Sequence, residues 1–279
     1  MNVLQNLHTH TSYGDGHDTP EQLVRAAIDK GFGGIGFSGH SYMFYASKYS
    51  MSPESTEAYK KEIVRLKQKY KGTIDVFLGL EFDAFSGVDM SGYDYLIGSM
   101  HYLKMGGEIV GFDRPLEITQ QVVDTYFGGD GMAFAKEYYR QIAHLPDYGK
   151  FDIIGHFDLL TKHVEQVRFF DIESKEYLRC AYEAIDALAG KIPLFEVNTG
   201  AVARGFRTVP YPHLTLMKRF RELGFGVVIT SDCHDARLLD FGFDLSRDLL
   251  YEAGFREQYI LTDNGFRAVP LKSCRKIFR

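Results

Sequence analysis

Short apolar runs and amphipathic stretches alternate along the whole chain, and that alternation leaves few folds open. Runs rich in Val, Ile, Leu and Phe fall at residues 3–7, 34–38, 74–80, 95–99, 151–155, 194–198 and 227–231, with a last one near 258–262. Little polar alternation interrupts them, as expected of strands covered on both faces. Between them, residues 53–70, 115–127, 132–145, 173–189 and 214–223 carry helical spacing. The first helix announces both of its ends. Thr19 reads as an N-cap, Pro20 as the first helical residue, Gln22 as the far half of a capping box and Gly31 as a left-handed stop, with Leu23, Ala27 and Lys30 at helical spacing. Repeated strand–helix units imply parallel strands joined by right-handed crossovers. Their number favours an α/β fold closed, or nearly closed, into a barrel. The 279 residues are expected to form a single domain over 1–279, because α/β barrels of this length commonly fold as one unit. Residues 83–93 and 105–116, rich in Gly and Asp, read as loops.

Composition removes several function classes. The formal net charge is -5 and no long basic run occurs, so no nucleic-acid partner is expected. A locally positive site for a small anion is compatible with that balance. Cys180, Cys233 and Cys274 are odd in number, far apart and without a CxxC pair, which speaks against a disulfide framework and a thiolate zinc site. No basic-then-apolar-then-small pattern opens the chain, and no apolar run is long enough to cross a bilayer. The expectation is a cytoplasmic protein with no membrane partner. The sequence does not specify an oligomeric state.

Histidines and acids fall at the ends of the apolar runs. "NLHTHTSYGDGH" places His8, His10, Asp15 and His17 after the first; His40 closes "GGIGFSGH", Glu81 closes "IDVFLGLE", and His101 closes "DYLIGSMH". His156 follows in "FDIIGHFD", and Asp232 and His234 in "VVITSDCH". In parallel α/β folds the carboxyl ends of the strands converge on one mouth, where loops carry the chemistry. On an extended strand, side chains two apart point the same way, so the imidazoles of H-x-H can reach one ion, and Asp232 and His234 repeat that spacing. Imidazole with carboxylate and no sulfur suits zinc, iron or manganese. Nine such groups are too many for one tetrahedral ion; two or three ions sharing a carboxylate would use them all. Clustered ions are a known means of displacement at phosphorus, one activating a hydroxide and the others neutralising phosphate oxygens.

Each residue alone has a blander reading. Glu81 could be a cap or a surface acid, and Asp232 the N-cap of a following turn. The joint placement of six of the ten histidines outweighs these readings. His144 in a helical stretch and His213 beside Pro212 read as structural or solvated, and His163 as exposed. His17 lies in the glycine-rich loop after Asp15, where it either touches substrate or is a plain loop residue. Cys233, between two ligand candidates, is expected to point into the barrel wall as a small hydrophobe.

The segments "HTHTSYGDGH", "GFSGHS", "GLEFD", "IGSMHYL", "IIGHFDLL", "FEVNTGAVARG" and "ITSDCH" together resemble the polymerase-and-histidinol-phosphatase (PHP) family of metal-dependent phosphoesterases, and most of all its histidinol-phosphatase branch. The resemblance runs over nearly the whole chain. It implies a distorted (β/α)7 barrel with a trinuclear centre of zinc, iron or manganese at the carboxyl-end face. One ion would take His8, His10, Glu81 and Asp232; a second would share Glu81 and add His101 and His156; a third would take Asp15, His40 and His234. In some relatives a histidine stands where this chain has Asp15. The implied activity is hydrolysis of L-histidinol phosphate, a small phosphate monoester, by metal-bound hydroxide. Asp232 or His234 could pass a proton to the leaving alcohol. Arg204 and Arg168 look like phosphate clamps, since the guanidinium fork suits bidentate phosphate contacts; Lys162 and Arg207 are weaker candidates. Residues 41–52 and 83–93 are plausible walls for the substrate. Two other readings differ in substrate or in class: a phosphoesterase of the same family acting on nucleotides or phosphotyrosine, and a metal-binding barrel without turnover.

Overall fold

The structure, a computed structural model, describes residues 4–272; Val3 of the first expected strand and Cys274 lie outside the described residues. The strands are β1 (Gln5–Asn6), β2 (Gly34–Phe37), β3 (Asp75–Asp83), β4 (Tyr95–Ser99), β5 (Tyr102–Met105), β6 (Glu108–Gly111), β7 (Ile153–Ile154), β8 (Leu194–Asn198), β9 (Gly226–Thr230), β10 (Glu257–Thr262) and β11 (Gly265–Pro270). The helices are α1 (Pro20–Asp29), α2 (Pro53–Lys69), α3 (Leu116–Phe127), α4 (Gly131–Ile142), α5 (Lys175–Leu188), α6 (Gly200–Ala203), α7 (Leu214–Glu222) and α8 (Phe243–Ala253).

Seven strands form one parallel sheet in the order β1-β2-β3-β4-β7-β8-β9. Its two edges meet beyond β1 and β9, where Thr9 bridges Cys233 in parallel fashion and His10 N donates to Cys233 O at 2.9 Å. The sheet is therefore a nearly closed barrel, drawn shut at its carboxyl end. The apolar strands are buried because helices cover their outer face. Leu23, Val24 and Ala27 of α1 and Tyr59, Ile63 and Leu66 of α2 join Ile35, Phe37 and Leu78 in one large core. The start of α1 matches its sequence signals: the Thr19 side chain accepts from Gln22 N, the Gln22 side chain accepts from Thr19 N, and Gly31 is left-handed. Inside the barrel, Tyr95 reaches across to donate to the carbonyl of Leu7. Gly79 makes room for it, since a Cβ there would lie 2.2 Å from the Tyr95 ring.

The structure departs from the sequence expectations in three elements. The expected strand near 258–262 does not enter the barrel. It pairs antiparallel with β11, and the resulting hairpin fills the amino end, packing Leu261, Tyr259 and Phe266 against Leu7, Phe77 and Tyr95. Gln5 fixes the hairpin by donating to Leu261 O at 3.0 Å and accepting from Leu261 N at 2.7 Å. The expected loop at 105–116 contains a second antiparallel hairpin, β5 with β6. The turn that reverses it uses Gly106 and Gly107, both at positive φ, which is the freedom glycine supplies. The segment from Ser231 to His234 is not a continuing strand: Asp232 has φ 48, so the equal orientation of Asp232 and His234 does not come from strand alternation.

Candidate metal centre

Every barrel strand except β8 delivers a ligand candidate to the same rim, and β8 supplies Glu196 behind them. His8 and His10 leave β1 in extended backbone held between Ser38 and Cys233. Glu81 lies on β3, with His40 bridged beside it in parallel register. His101 follows β4, and its amide donates to Asp83 Oδ2 at 3.2 Å. His156 follows β7, and its amide donates to Glu196 Oε1 on β8 at 2.7 Å. Asp15 is carried by a tight turn in which the amides of Gly14 and Gly16 both donate to Thr11 O.

Nine side chains thus form four overlapping groups: His8, Glu81 and His156; His8, His10 and Asp232; His40, Glu81 and His101; and His10, Asp15, His40 and His234. Within each group the candidate ligand atoms lie within 4.8 Å of one another. Glu81 is the hub. Its Oε2 is 3.2 Å from His8 Nε2 and 2.8 Å from His40 Nδ1, and its Oε1 is 2.9 Å from His156 Nε2 and 3.4 Å from His101 Nε2. Asp232 Oδ1 is 3.1 Å from His10 Nε2, and Asp15 Oδ2 is 3.3 Å from His234 Nε2 and 3.6 Å from His40 Nε2.

These atoms converge without satisfying one another. His8 Nε2, both ring nitrogens of His10, His40 Nδ1, Asp15 Oδ1 and Glu81 Oε2 are buried and make no hydrogen bond. Buried polar atoms are nearly always bonded, so a cluster of orphans pointing inward calls for a partner that accepts lone pairs. The charges agree. Burial alone would lift the Glu81 carboxyl, yet the imidazoles of His40, His8 and His101 hold it well below the usual carboxylate range. Burial likewise opposes, and Arg204 and His8 overcome, in holding Asp232 well below it. His40 moves the other way: desolvation would lower it, but Glu81 and Asp15 raise it to about 10. Ionised carboxylates in a buried nest that draws positive charge, with six imidazoles and no thiolate, fit divalent zinc, iron or manganese.

A second layer orients the imidazoles. Glu196, fully buried, accepts from His8 Nδ1 at 2.8 Å, so that His8 Nε2 faces Glu81 and Asp232. Asp83 lies 3.3 Å from His101 Nδ1 and accepts from the Tyr45 hydroxyl at 2.9 Å. Such carboxylates fix the tautomer and ring angle of metal-binding histidines. Neither was singled out from the sequence, although a lone acid inside the apolar run "LFEVN" is the signal that marks Glu196.

The ligand groups form the floor of a cleft of about 740 Å³. Arg204 lines it; its Nη2 is 3.2 Å from Asp232 Oδ2 and its Nη1 3.2 Å from Asp232 O. That approach needs Gly200, where a Cβ would lie 2.8 Å from Arg204 Nη2 and 2.9 Å from Asp232 Oδ2. Lys162 also lines the cleft, paired with Asp113 at 2.7 Å, and His17 sits exposed at its rim. Met43 and Tyr49 supply a wall from the 41–52 segment, whereas residues 83–93 do not line the cleft. Arg168 is not at the mouth: its side chain is 72% exposed and pairs with Asp171 at 2.7 Å, because the loop turns it to solvent. Arg207 is buried and faces inward to Asp158 at 3.8 Å. His163, expected to be exposed, is buried because its Nε2 donates to Arg114 O at 2.9 Å. Cys233 is buried in the barrel wall as expected, and burial pushes its thiol up to about 12.

A family model described as the PHP domain matches residues 6–200. The chain is 30% identical over 256 residues to a protein of Deinococcus radiodurans named probable histidinol-phosphatase, covering 87% of this chain and 91% of that one. It is 26% identical over 264 residues to the histidinol-phosphatase of Lactococcus lactis subsp. lactis, covering 90% and 91%. Among solved structures, histidinol phosphate phosphatase from Lactococcus lactis, complexed with Zn, L-histidinol and phosphate, superposes with a TM-score of 0.70. That match covers 96% of this chain and 100% of the other at 20% identity, and it shows a shared fold.

Proposed function

Because the chain belongs to the PHP domain family, we propose that it is a metal-dependent phosphoric monoester hydrolase converting L-histidinol phosphate to L-histidinol and phosphate, a step of histidine biosynthesis. The observation that carries this reading is the convergence of nine imidazole and carboxylate side chains, several of them with buried atoms that make no hydrogen bond, beside a cationic clamp.

In this reading three divalent ions occupy the centre. His8, His10, Glu81 and Asp232 would hold one; Glu81, His101 and His156 a second; Asp15, His40 and His234 a third. Once bound, the ions supply Lewis-acid activation of water and neutralise the phosphate oxygens. Glu196 and Asp83 hold His8 and His101 in the ring orientation that binding requires. Arg204 presents a planar guanidinium beside Asp232, and Lys162 a point charge from the loop after His156, so a phosphate dianion entering the cleft meets cations away from the floor. Both proton-donor candidates line the cleft; Arg204 and His8 keep the buried Asp232 carboxyl ionised, and His234, an ion ligand in this reading, would have to leave its ion to serve the leaving alcohol. Among the described residues no helix is long and apolar enough to cross a membrane.

Elemental analysis of the purified protein, paired with phosphate release from a panel of esters, tests the reading. Bound zinc, iron or manganese and a kcat/KM for L-histidinol phosphate far above those for nucleotides, phosphotyrosine and aryl phosphates are expected. Equal turnover of all the esters would remove the substrate assignment. No phosphate release by the metal-loaded protein would remove the phosphatase itself and leave a metal-binding barrel.

A further inference from the structure

Three carboxylates line the cleft outside the ligand groups: Asp113, Glu117 and Asp235. Asp235 is already clasped by the Arg237 guanidinium and caps the turn that follows it. Glu117 is exposed, where solvent screens its charge. Asp113 is different. Its side chain is only 22% exposed, and its Oδ1 accepts from Lys162 Nζ at 2.7 Å. No donor among the described residues bonds its Oδ2.

The backbone that presents Asp113 is pinned on both sides. Phe112 N donates to the carbonyl of the ligand candidate His101 at 3.3 Å, and Phe112 O accepts from Thr119 Oγ1 at 2.9 Å. On the other side, Arg114 O accepts from the buried His163 Nε2 at 2.9 Å. A half-buried carboxylate with one oxygen committed to Lys162 and one uncommitted is thus held at a fixed place in the cleft. Burial works against its ionisation, but Lys162 and then His101 overcome that and bring it to about 2, so it carries its charge at every working pH.

We propose that Asp113 is the specificity residue that accepts the ammonium group of an amino-bearing phosphate monoester, with the Asp113–Lys162 pair opening as the ester enters. The proposal rests on the functional reading above. L-Histidinol phosphate carries an ammonium on the carbon next to its phosphoester carbon, so its two charges lie close together and opposite in sign. Lys162 turns to the phosphate, and the ligand's ammonium takes its place on Asp113. Both protein charges keep a partner. An ester of the same shape without the amine either leaves Asp113 without a cation or leaves Lys162 on Asp113 and away from the phosphate. Loss of one charge-assisted hydrogen bond at a half-buried site corresponds to roughly 10- to 100-fold in binding.

The test compares L-histidinol phosphate with the same ester lacking the amine, using metal-loaded wild-type, Asp113→Asn and Asp113→Glu proteins. The wild type is expected to prefer the amine in kcat/KM by about 10- to 100-fold. Asp113→Asn should bring that preference close to unity, chiefly through KM, and Asp113→Glu should restore part of it. Calorimetry with L-histidinol itself gives a readout without turnover: its Kd should rise about tenfold or more in Asp113→Asn. An equal fall for both esters would show that Asp113 only neutralises Lys162, and would overturn the assignment. So would a wild type that does not distinguish the esters, a result that needs no variant to fold. A wild type that leaves L-histidinol phosphate intact while hydrolysing other esters would instead overturn the functional reading beneath it.

Discussion

Glu196 Oε2 sits 2.8 Å from Nδ1 of His8, and both side chains are closed to solvent. The carboxylate is saturated with donors: Thr230 Oγ1 joins His8 on Oε2, while His156 N and Asn198 Nδ2 bond Oε1. An amide in its place would turn an NH₂ group toward two of those donors. Glu196→Gln is therefore expected to weaken metal affinity by about 10- to 100-fold. Competitive titration with a chromophoric chelator measures it, and unchanged affinity would remove Glu196 from the centre's support.

Chelation should destabilise the protein. Ions that bind the folded chain and not the unfolded one add about 2.7 kcal/mol at a concentration a hundredfold above Kd. For a chain of this size that corresponds to a fall in Tm of about 5 °C or more on metal removal. Scanning calorimetry before and after chelation, and again after titrating metal back, gives the size of the effect, while elemental analysis of the reloaded protein gives the number of ions, expected to be three.

Arg204 and Arg168 should behave as opposites. Arg204 reaches Asp232 at the floor of the cleft, whereas Arg168 pairs with Asp171 in solvent. Arg204→Ala is expected to lower kcat/KM by about 10- to 100-fold through lost charge-assisted bonds to phosphate. Arg168→Ala should leave kcat/KM within about twofold, because exposed pairs contribute little. Steady-state kinetics on both variants separates these positions, and a large effect at Arg168 would contradict its placement.

Gly200→Ala tests how tightly the clamp is set. The added methyl would press on both Arg204 and Asp232. Overpacking of this kind costs about 1–3 kcal/mol, here falling on the proposed phosphate clamp and on the ligand candidate beside it. KM and the inhibition constant for inorganic phosphate should both rise by about tenfold, with far-UV circular dichroism unchanged.

The parts of this molecule legible in the sequence are those governed by local rules. Thr19 and Gln22 mark the start of α1, and the apolar runs mark the barrel strands, because capping and two-sided burial leave signatures within a few residues. His8, His40, His101 and His156 stand out because each follows such a run. What stayed hidden depends on where distant segments meet. Arg168 lies close in sequence to a strand end, yet the loop carries it outward. His163 looks like a surface residue until Arg114 is brought beside it. The final hairpin has the composition of barrel strands, and only the closing of the barrel by Thr9 and Cys233 leaves it without a place there. Asp113 sits in a segment with no periodicity at all, and its environment is set by Lys162, His101 and Thr119 from three other parts of the chain.

The hairpin of β10 and β11 stoppers the barrel below the ligand floor, with Leu261 secured by Gln5. The cleft consequently works as a vessel with one neck. Reactant and both products share the same passage, and whichever product lingers over the floor bars the next molecule from reaching it.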